Sequence, residues 1–200
     1  MSKRLYVAYG SNLNIQQMAS RCPGAKLYGT GVIENFELQF KGQPHGAFAT
    51  IAPKDGASVP VAVWEISKRN EQALDRYEGY PSHYFKQDVP VQLDGKEVTA
   101  MVYVMNLKMD FGLPAPYYYD VVREGYEDCG LDPAALEQAL RESTAQFYGS
   151  HWPHQESIFR FESDAEPDED ELEEDDDPDL DEDEPELDET DPFYFSEGMH

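Results

Sequence analysis

The acidic C-terminal segment is the feature that most restricts how this chain can fold. From Glu162 to His200 the sequence holds 22 Asp and Glu residues and no Lys or Arg. Like charges at this density repel each other, and the few apolar residues among them cannot offset the entropy cost of an ordered chain. We therefore predict a disordered acidic tail over 162–200. The folded domain is predicted over 1–161, which is long enough to bury its own core.

The rest of the chain is close to neutral, and this excludes several classes of protein. The first 161 residues carry 19 acidic and 15 basic side chains, so little of the net charge of −26 belongs to them. Without a basic surplus we expect no nucleic-acid binding. The longest apolar runs are too short for a transmembrane helix, and Met1–Val7 lacks the apolar stretch of a signal peptide. We expect no membrane association.

Cysteine and histidine usage argues against a disulfide scaffold and against a metal site. Cys22 and Cys129 are the only cysteines, and we predict that both are reduced, buried core residues, as in a cytoplasmic protein. His151 and His154 flank a Trp-Pro pair, with no carboxylate at a supporting spacing. The glycines and lysine of a phosphate-binding loop or a dinucleotide fingerprint are also missing. The sequence therefore predicts no metal site and neither of these two nucleotide-binding loops.

Hydrophobic patterning predicts a strand-rich α+β domain. Residues 5–9 form a short, mainly apolar run, residues 25–40 are rich in Tyr, Val, Ile and Phe, and Val59–Ile66 alternates between the two faces of a strand. A short strand is predicted over 48–52, with a turn at Lys54–Gly56. Asp94-Gly95, which separates two further β-rich runs ending at Leu93 and Met105, predicts a hairpin. Pairing through hairpins favours a mixed sheet or a small barrel over a parallel sheet.

Four helices are predicted from capping residues and spacing. The first begins at Asn14, with Gln17 three residues later, and ends at Pro23-Gly24. The second covers 68–77, because Ser67 is a suitable N-cap and Gly79 lies where a helix-ending glycine belongs. Two more helices run from Tyr118 to Cys129 and from Pro133 to Phe147, with apolar residues at helical spacing.

The segment Tyr9-Gly10-Ser11-Asn12-Leu13 lies between the first strand and the first helix. Gly10 permits a tight turn, Ser11 and Asn12 supply side-chain donors, and the N–H groups at the helix start have no internal acceptor. These features are typical of a site for a carboxylate or a phosphate. The alternative is that Ser11 and Asn12 serve only as ordinary helix caps.

Glu78 closes the second predicted helix among aromatic residues. A carboxylate at a helix C-terminus faces the negative end of the helix dipole, and Tyr77, Tyr80 and Tyr84 would exclude water from it. Both effects raise the pKa of a glutamate toward the range that suits a general base. The alternative is a solvated glutamate at a helix end. Taken together with the glycine-containing loop, Glu78 indicates a small-molecule site.

Three segments of this chain resemble the gamma-glutamylcyclotransferase family, which includes the gamma-glutamylamine cyclotransferases. Leu5–Leu13 (LYVAYGSNL) resembles the first strand and the YGSN loop, and Ala73–Tyr84 (ALDRYEGYPSHY) resembles the segment with the catalytic glutamate. Tyr118–Leu131 (YYDVVREGYEDCGL) is similar to the late helix of the family. The resemblance implies a compact mixed β-barrel flanked by helices and a reaction without a cofactor.

The resemblance also implies an activity and assigns a role to each matching residue. A gamma-glutamyl compound would be cyclised to 5-oxoproline, with release of an amine or amino acid. Glu78 would be the general acid and base. Substrate binding would fall to the loop and to two tyrosines: Tyr9, Gly10, Ser11, Asn12, Leu13, Tyr84 and Tyr118. The Tyr117–Tyr119 run leaves the register of the late tyrosine open by one residue.

A non-catalytic role on the same scaffold is the alternative function. In this interpretation the domain binds or senses a small ligand, and the acidic tail recruits a basic protein partner. Phe193–Phe195 near the end of the tail is then a short docking motif, whereas an inert solvated tail is the simpler interpretation. The sequence does not identify the leaving group of the substrate or the oligomeric state.

Overall fold

A computed structural model of the chain describes residues 3–151. The predicted acidic tail over 162–200, the domain boundary at 161, His154 and the Phe193–Phe195 motif lie outside the described residues.

Five β-strands in the described part of the chain form a closed barrel in the order β1-β3-β2-β4-β5. β1 pairs with β3 in antiparallel register and with β5 in parallel register, and this parallel pair closes the barrel. The remaining neighbours are all antiparallel. The mixed barrel implied by the family resemblance is therefore confirmed. The strands are β1 (Lys3–Ala8), β2 (Lys26–Gln43), β3 (Gly46–Ser67), β4 (Tyr84–Leu93) and β5 (Lys96–Met105).

The two longest strands depart from the prediction of separate short strands joined by a turn. β2 and β3 pair almost throughout, from Lys26 with Glu65 to Gln43 with Gly46. The chain does not reverse at Lys54–Gly56, so the predicted turn is wrong. Those residues form an irregularity within β3, where the register shifts opposite Asn35. The backbone N–H of Gly56, at φ +75°, donates to the Asn35 side chain (3.0 Å), so a turn-like sequence is accommodated as a bulge.

The hairpin predicted at Asp94-Gly95 is confirmed. Leu93 pairs with Lys96, which leaves Asp94 and Gly95 as a two-residue connection. Both residues have positive φ, +46° and +76°, as a type I′ turn requires.

The four predicted helices are present. The first follows β1, the second follows β3, and the last two follow β5. Asn14 caps the first helix by accepting the N–H of Gln17 (3.0 Å), and Ser67 caps the second in a reciprocal capping box with Asn70. The third helix begins at Pro116, two residues before the predicted start. The bounds are α1 (Ile15–Arg21), α2 (Lys68–Tyr77), α3 (Pro116–Asp128) and α4 (Ala134–His151), with a short 3-10 helix at Ser11–Leu13.

The core fills the barrel and continues under the helices. Cys22 and Cys129 are free thiols within it, as predicted. Burial raises the pKa of each thiol to about 11, so both behave as small apolar residues rather than nucleophiles. None of the helices in the described residues is long and apolar enough to cross a bilayer.

Candidate active site

A small cavity lies where β1 ends and α2 stops. Its wall combines residues of β1 and of the loop that follows it, the end of α2, and side chains from β3, β4, β5 and the start of α3. Five of the eleven lining residues are tyrosines. The lining residues are Tyr6, Val7, Tyr9, Gly10, Ser11, Asn12, Ala49, Glu78, Tyr84, Tyr103 and Tyr118.

The loop after β1 turns sharply and carries polar groups into a buried place. The Leu13 N–H donates to the Gly10 carbonyl (2.9 Å), which closes one 3-10 turn. Ser11 and Asn12 are buried although both are polar. A Cβ at Gly10 would lie 3.2 Å from the Tyr118 hydroxyl oxygen, so the close approach of these two residues favours glycine.

Glu78 reaches the same cavity because of the way α2 ends. It is the C-cap residue, and Gly79 follows it at φ +63°. The Tyr80 N–H donates back to the Asp75 carbonyl (2.9 Å), as in a Schellman motif. This backbone geometry stops the helix at Glu78, whose Oε1 accepts a hydrogen bond from Asn12 Nδ2 (3.0 Å). The loop and the carboxylate are therefore in direct contact.

The protonation of Glu78 is set by two opposing influences. Burial raises the pKa of its carboxyl to about 7, while the positive charge of Arg21 and the hydrogen bond from Asn12 act to lower it. Burial is the larger effect. A carboxyl with a pKa near 7 is half ionised near neutral pH, so it can take up and return a proton in one reaction cycle.

Arg21, at the end of α1, supports the loop from outside the cavity. Its guanidinium donates to Asn12 Oδ1 (2.7 Å) and to Ser11 Oγ (3.1 Å), and it lies 3.8 Å from the centre of the Tyr77 ring. It also contacts the Gln17 side chain. Because Asn12 bonds to both Arg21 and Glu78, the cation and the carboxylate belong to one hydrogen-bonded network.

Comparison with known proteins identifies the family. The profile described as gamma-glutamyl cyclotransferase, AIG2-like, matches residues 6–120, which is more than half of the chain. The chain belongs to this family. It is 34% identical to the gamma-glutamylcyclotransferase of Bos taurus over 140 residues, 64% of this chain and 72% of the relative. It is 32% identical to the Homo sapiens gamma-glutamylcyclotransferase over 146 residues, 68% and 77% of the two chains.

Solved structures agree with this assignment of the gamma-glutamyl cyclotransferase family. One described as gamma-glutamyl cyclotransferase shares 31% identity at a TM-score of 0.64, and the match covers 69% of this chain and 86% of the other. YkqA from Bacillus subtilis, at 20% identity and a TM-score of 0.61, shares the fold; the match covers 73% and 56% of the two chains. The family takes its name from enzymes, and the chain is a member of an enzyme family.

The structure brings most of the family-derived site residues together. Tyr9, Gly10, Ser11 and Asn12 line the cavity, and Glu78 lies beside the loop, hydrogen-bonded to Asn12. Of the three consecutive tyrosines, Tyr118 is the one on the cavity. Tyr117 is 77% exposed and Tyr119 packs against Phe40, so neither of these two tyrosines faces the cavity.

Leu13 lies away from the cavity. Its side chain is fully buried in the core, close to Gly125 of α3, because the 3-10 turn rotates it to the opposite face from Ser11 and Asn12. The aromatic wall also differs from the predicted one. Tyr77 and Tyr80 are about half exposed, at 50% and 43%, and each lies beside a cation instead.

Sequence reasoning missed three residues at this site. Tyr6 and Tyr103 line the cavity from β1 and β5, and Arg21 lies behind the loop. Tyr6 and Tyr103 come from the strands whose parallel pairing closes the barrel, and that pairing carries no local sequence signal. The sequence offered one indication that Arg21 lies near the loop: it is in the last turn of a short helix that begins directly after the loop. In residues 3–151 no cluster of three or more His, Cys, Asp or Glu side chains could hold a metal ion.

Glu78 is expected to make stability depend on pH. Because its pKa is higher in the folded state than in the unfolded chain, its contribution is fully present at low pH and is lost as the pH rises through 7. Glu78→Gln keeps the shape without the charge. At pH 8.5 the free energy of unfolding of Glu78→Gln should exceed that of the native protein. At pH 5.5 this difference between the two proteins should be smaller by about 2 kcal/mol. Urea denaturation at the two pH values measures this, and a pH-independent difference would argue for an exposed carboxylate.

Proposed function

We propose that this protein is a gamma-glutamylcyclotransferase in which Glu78 acts as the general acid and base. The observation that carries the proposal is the position of Glu78, which shares the cavity with the Gly10–Asn12 loop and has a pKa raised to about 7. Its substrate would be a compound whose gamma-glutamyl group has a free α-amine and α-carboxylate.

The reaction requires one bond to form and one to break at the same carbon. Glu78 takes a proton from the α-ammonium, and the freed amine attacks the γ-carbonyl carbon, whose π electrons move to oxygen. The carbonyl then re-forms as the bond to the leaving nitrogen breaks. Glu78 returns its proton to that nitrogen, then takes the second proton from the ring nitrogen and passes it to the departing amine. The products, 5-oxoproline and an amine or amino acid in its ammonium form, therefore leave without a cofactor and Glu78 is again ionised. The attack is intramolecular, and binding in a folded conformation supplies much of the rate gain.

The loop and the tyrosines would hold the glutamyl group. The N–H groups of Ser11 and Asn12 begin the 3-10 turn and have no acceptor within it, so they suit an oxygen of the substrate. Tyr9, Tyr84 and Tyr118 would enclose the aliphatic part of the glutamyl chain. A reducing, cytoplasmic location fits this proposal, since the two buried cysteines are free.

The charge of Arg21 gives a prediction for the pH profile. Arg21→Met removes a cation that lowers the pKa of Glu78, so the ionised base should appear only at higher pH. We expect the acid limb of kcat/KM to move up by about one pH unit. Arg123→Met, which removes an exposed arginine paired with Glu127 (2.7 Å), is the matched control and should leave the limb in place. An unmoved limb in Arg21→Met would show that Arg21 does not influence the base.

The proposed function is tested with a panel of gamma-glutamyl amines, dipeptides and glutathione, with release of 5-oxoproline as the readout. Turnover of at least one class is expected, and it should survive deletion of residues 162–200. Binding of such compounds without turnover by the full chain would instead support a non-catalytic module. In that case the acidic tail, as the element that recruits a basic partner, would become the functional part of the chain.

A further inference from the structure

The hydroxyl protons of the cavity tyrosines are not equally available. A tyrosine hydroxyl has one proton to donate and can accept further hydrogen bonds. Tyr9 donates to the Tyr103 carbonyl (2.6 Å), Tyr84 to the Ala49 carbonyl (3.0 Å), and Tyr103 to Asp75 Oδ1 (2.6 Å). These three protons are engaged by the protein.

Tyr118 and Tyr6 differ because their hydroxyl oxygens act as acceptors. Tyr118 accepts the backbone N–H of Ala49 (3.1 Å), and Tyr6 accepts from Asn12 Nδ2 (2.7 Å). Tyr118 already belongs to the site that the family resemblance implied. Tyr6, at the middle of β1 and 3% exposed, does not.

The orientation of the Asn12 amide decides which way the Tyr6 hydrogen bond runs. An arginine has only donors, so the Asn12 group that faces Arg21 must be its oxygen. Both N–H bonds of Asn12 then point to the other side, one to Tyr6 Oη and one to Glu78 Oε1. Tyr6 therefore has to accept from Asn12 and cannot donate to it. Within residues 3–151 the structure shows no acceptor for the Tyr6 proton.

We infer that Tyr6 is a further catalytic residue, which donates its hydroxyl hydrogen bond to the oxygen of the γ-carbonyl under attack. This inference rests on the proposed cyclotransferase function. Tyr6 Oη and Glu78 Oε1 are bonded to one nitrogen of Asn12, so the donor and the base lie beside each other. Glu78 serves the attacking and the leaving nitrogen in turn. Both nitrogens are bound to the γ-carbonyl carbon in the intermediate. The oxygen on that carbon gains negative charge during the reaction, so a donor beside Glu78 is placed to stabilise it.

A single hydroxyl deletion tests the inference. Tyr6→Phe should lower kcat about 100-fold and leave KM within about three-fold, because an oxyanion donor acts mainly in the transition state. Tyr126→Phe is the matched control, since Tyr126 is also buried, its hydroxyl has no hydrogen-bond partner among residues 3–151, and it lies in α3 away from the cavity. It should keep kcat within about two-fold.

Three outcomes would overturn the role of Tyr6 while leaving the proposed function intact. The first is a kcat for Tyr6→Phe equal to that of Tyr126→Phe, while Glu78→Gln is inactive. The second is a rise in KM with kcat unchanged, which would place the Tyr6 hydroxyl on the α-carboxylate instead. The third combines two results. Tyr6→Phe fails to fold, which is seen as an absent thermal transition, and the protein with 3-fluorotyrosine at position 6 is fully active although its fluorine resonance does not change on ligand binding.

A binding measurement decides the role of Tyr6 if the native protein turns over no gamma-glutamyl compound. The probe is methionine sulfoximine, whose tetrahedral sulfur places an oxygen where the γ-carbonyl oxygen would be in the intermediate. Calorimetry should show binding about ten-fold weaker to Tyr6→Phe than to Tyr126→Phe. The fluorine resonance of 3-fluorotyrosine at position 6 should move when the probe is added. Equal binding to both variants, or an unmoved resonance, would overturn the inference.

Discussion

Replacing Glu78 with glutamine is expected to lower kcat about 1,000-fold without unfolding the protein. Glutamine keeps the volume and can still accept the hydrogen bond from Asn12, but it cannot take up a proton. General acid–base groups contribute about 10²–10⁴-fold to a rate. Because the same residue serves both the attacking and the leaving nitrogen in the proposed reaction, we expect the fall in kcat to lie well inside that range. The measurement is single-turnover release of 5-oxoproline.

Glu124→Gln is the matched control for this experiment. Glu124 lies close to the same loop and accepts a hydrogen bond from Asn14 Nδ2 (3.3 Å), yet it does not line the cavity. We expect its kcat to equal that of the native protein. Comparable losses in the two variants would mean that a glutamate near the loop supports its structure and that no proton transfer depends on Glu78.

Replacing Gly125 with alanine is expected to impair both stability and activity. An added Cβ would lie 2.6 Å from the Asn14 nitrogen and 2.6 Å from the Leu13 Cβ, so α3 or the loop must move. Overpacking of this kind costs about 1–3 kcal/mol, which exceeds the gain of about 1 kcal/mol in helix propensity. A displaced loop also carries Ser11 and Asn12 out of position, and kcat/KM should fall about 100-fold.

Gly149→Ala provides the opposite expectation in another helix. A Cβ at Gly149 meets no atom of the described residues within 4 Å, so the substitution should raise the free energy of unfolding by up to about 1 kcal/mol and leave kcat/KM unchanged. Chemical denaturation and steady-state kinetics compare the two variants. If Gly125→Ala were as stable and as active as Gly149→Ala, the contact between α3 and the loop would not fix the site.

The features that local rules govern could be predicted from the sequence. The hairpin at Asp94-Gly95 could be predicted because its turn requires positive φ at both residues. Ser67 marked the start of the second helix and Gly79 its end, and these two residues placed Glu78 at the helix C-terminus. The approximate place of the site followed as well, since the Gly10 turn and Glu78 each carry a recognisable chemical signature.

The features that depend on long-range pairing could not be predicted. β1 and β5 are separated by most of the domain, and their parallel contact brings Tyr6 and Tyr103 to the cavity. Arg21 acts on Glu78 through its charge and through their shared partner Asn12, a relation that no spacing in the sequence reveals. The bulge at Lys54–Gly56 was predicted as a turn because the same residue types serve both structures.

The pH dependence of kcat/KM tests the central claim most directly. For the most active compound of the gamma-glutamyl panel, release of 5-oxoproline should increase with pH along a limb with an apparent pKa of about 7, the value that burial gives Glu78. A limb near the ordinary pKa of a glutamate, or a rate independent of pH between 5 and 9, would contradict the assignment of a buried Glu78 as the base.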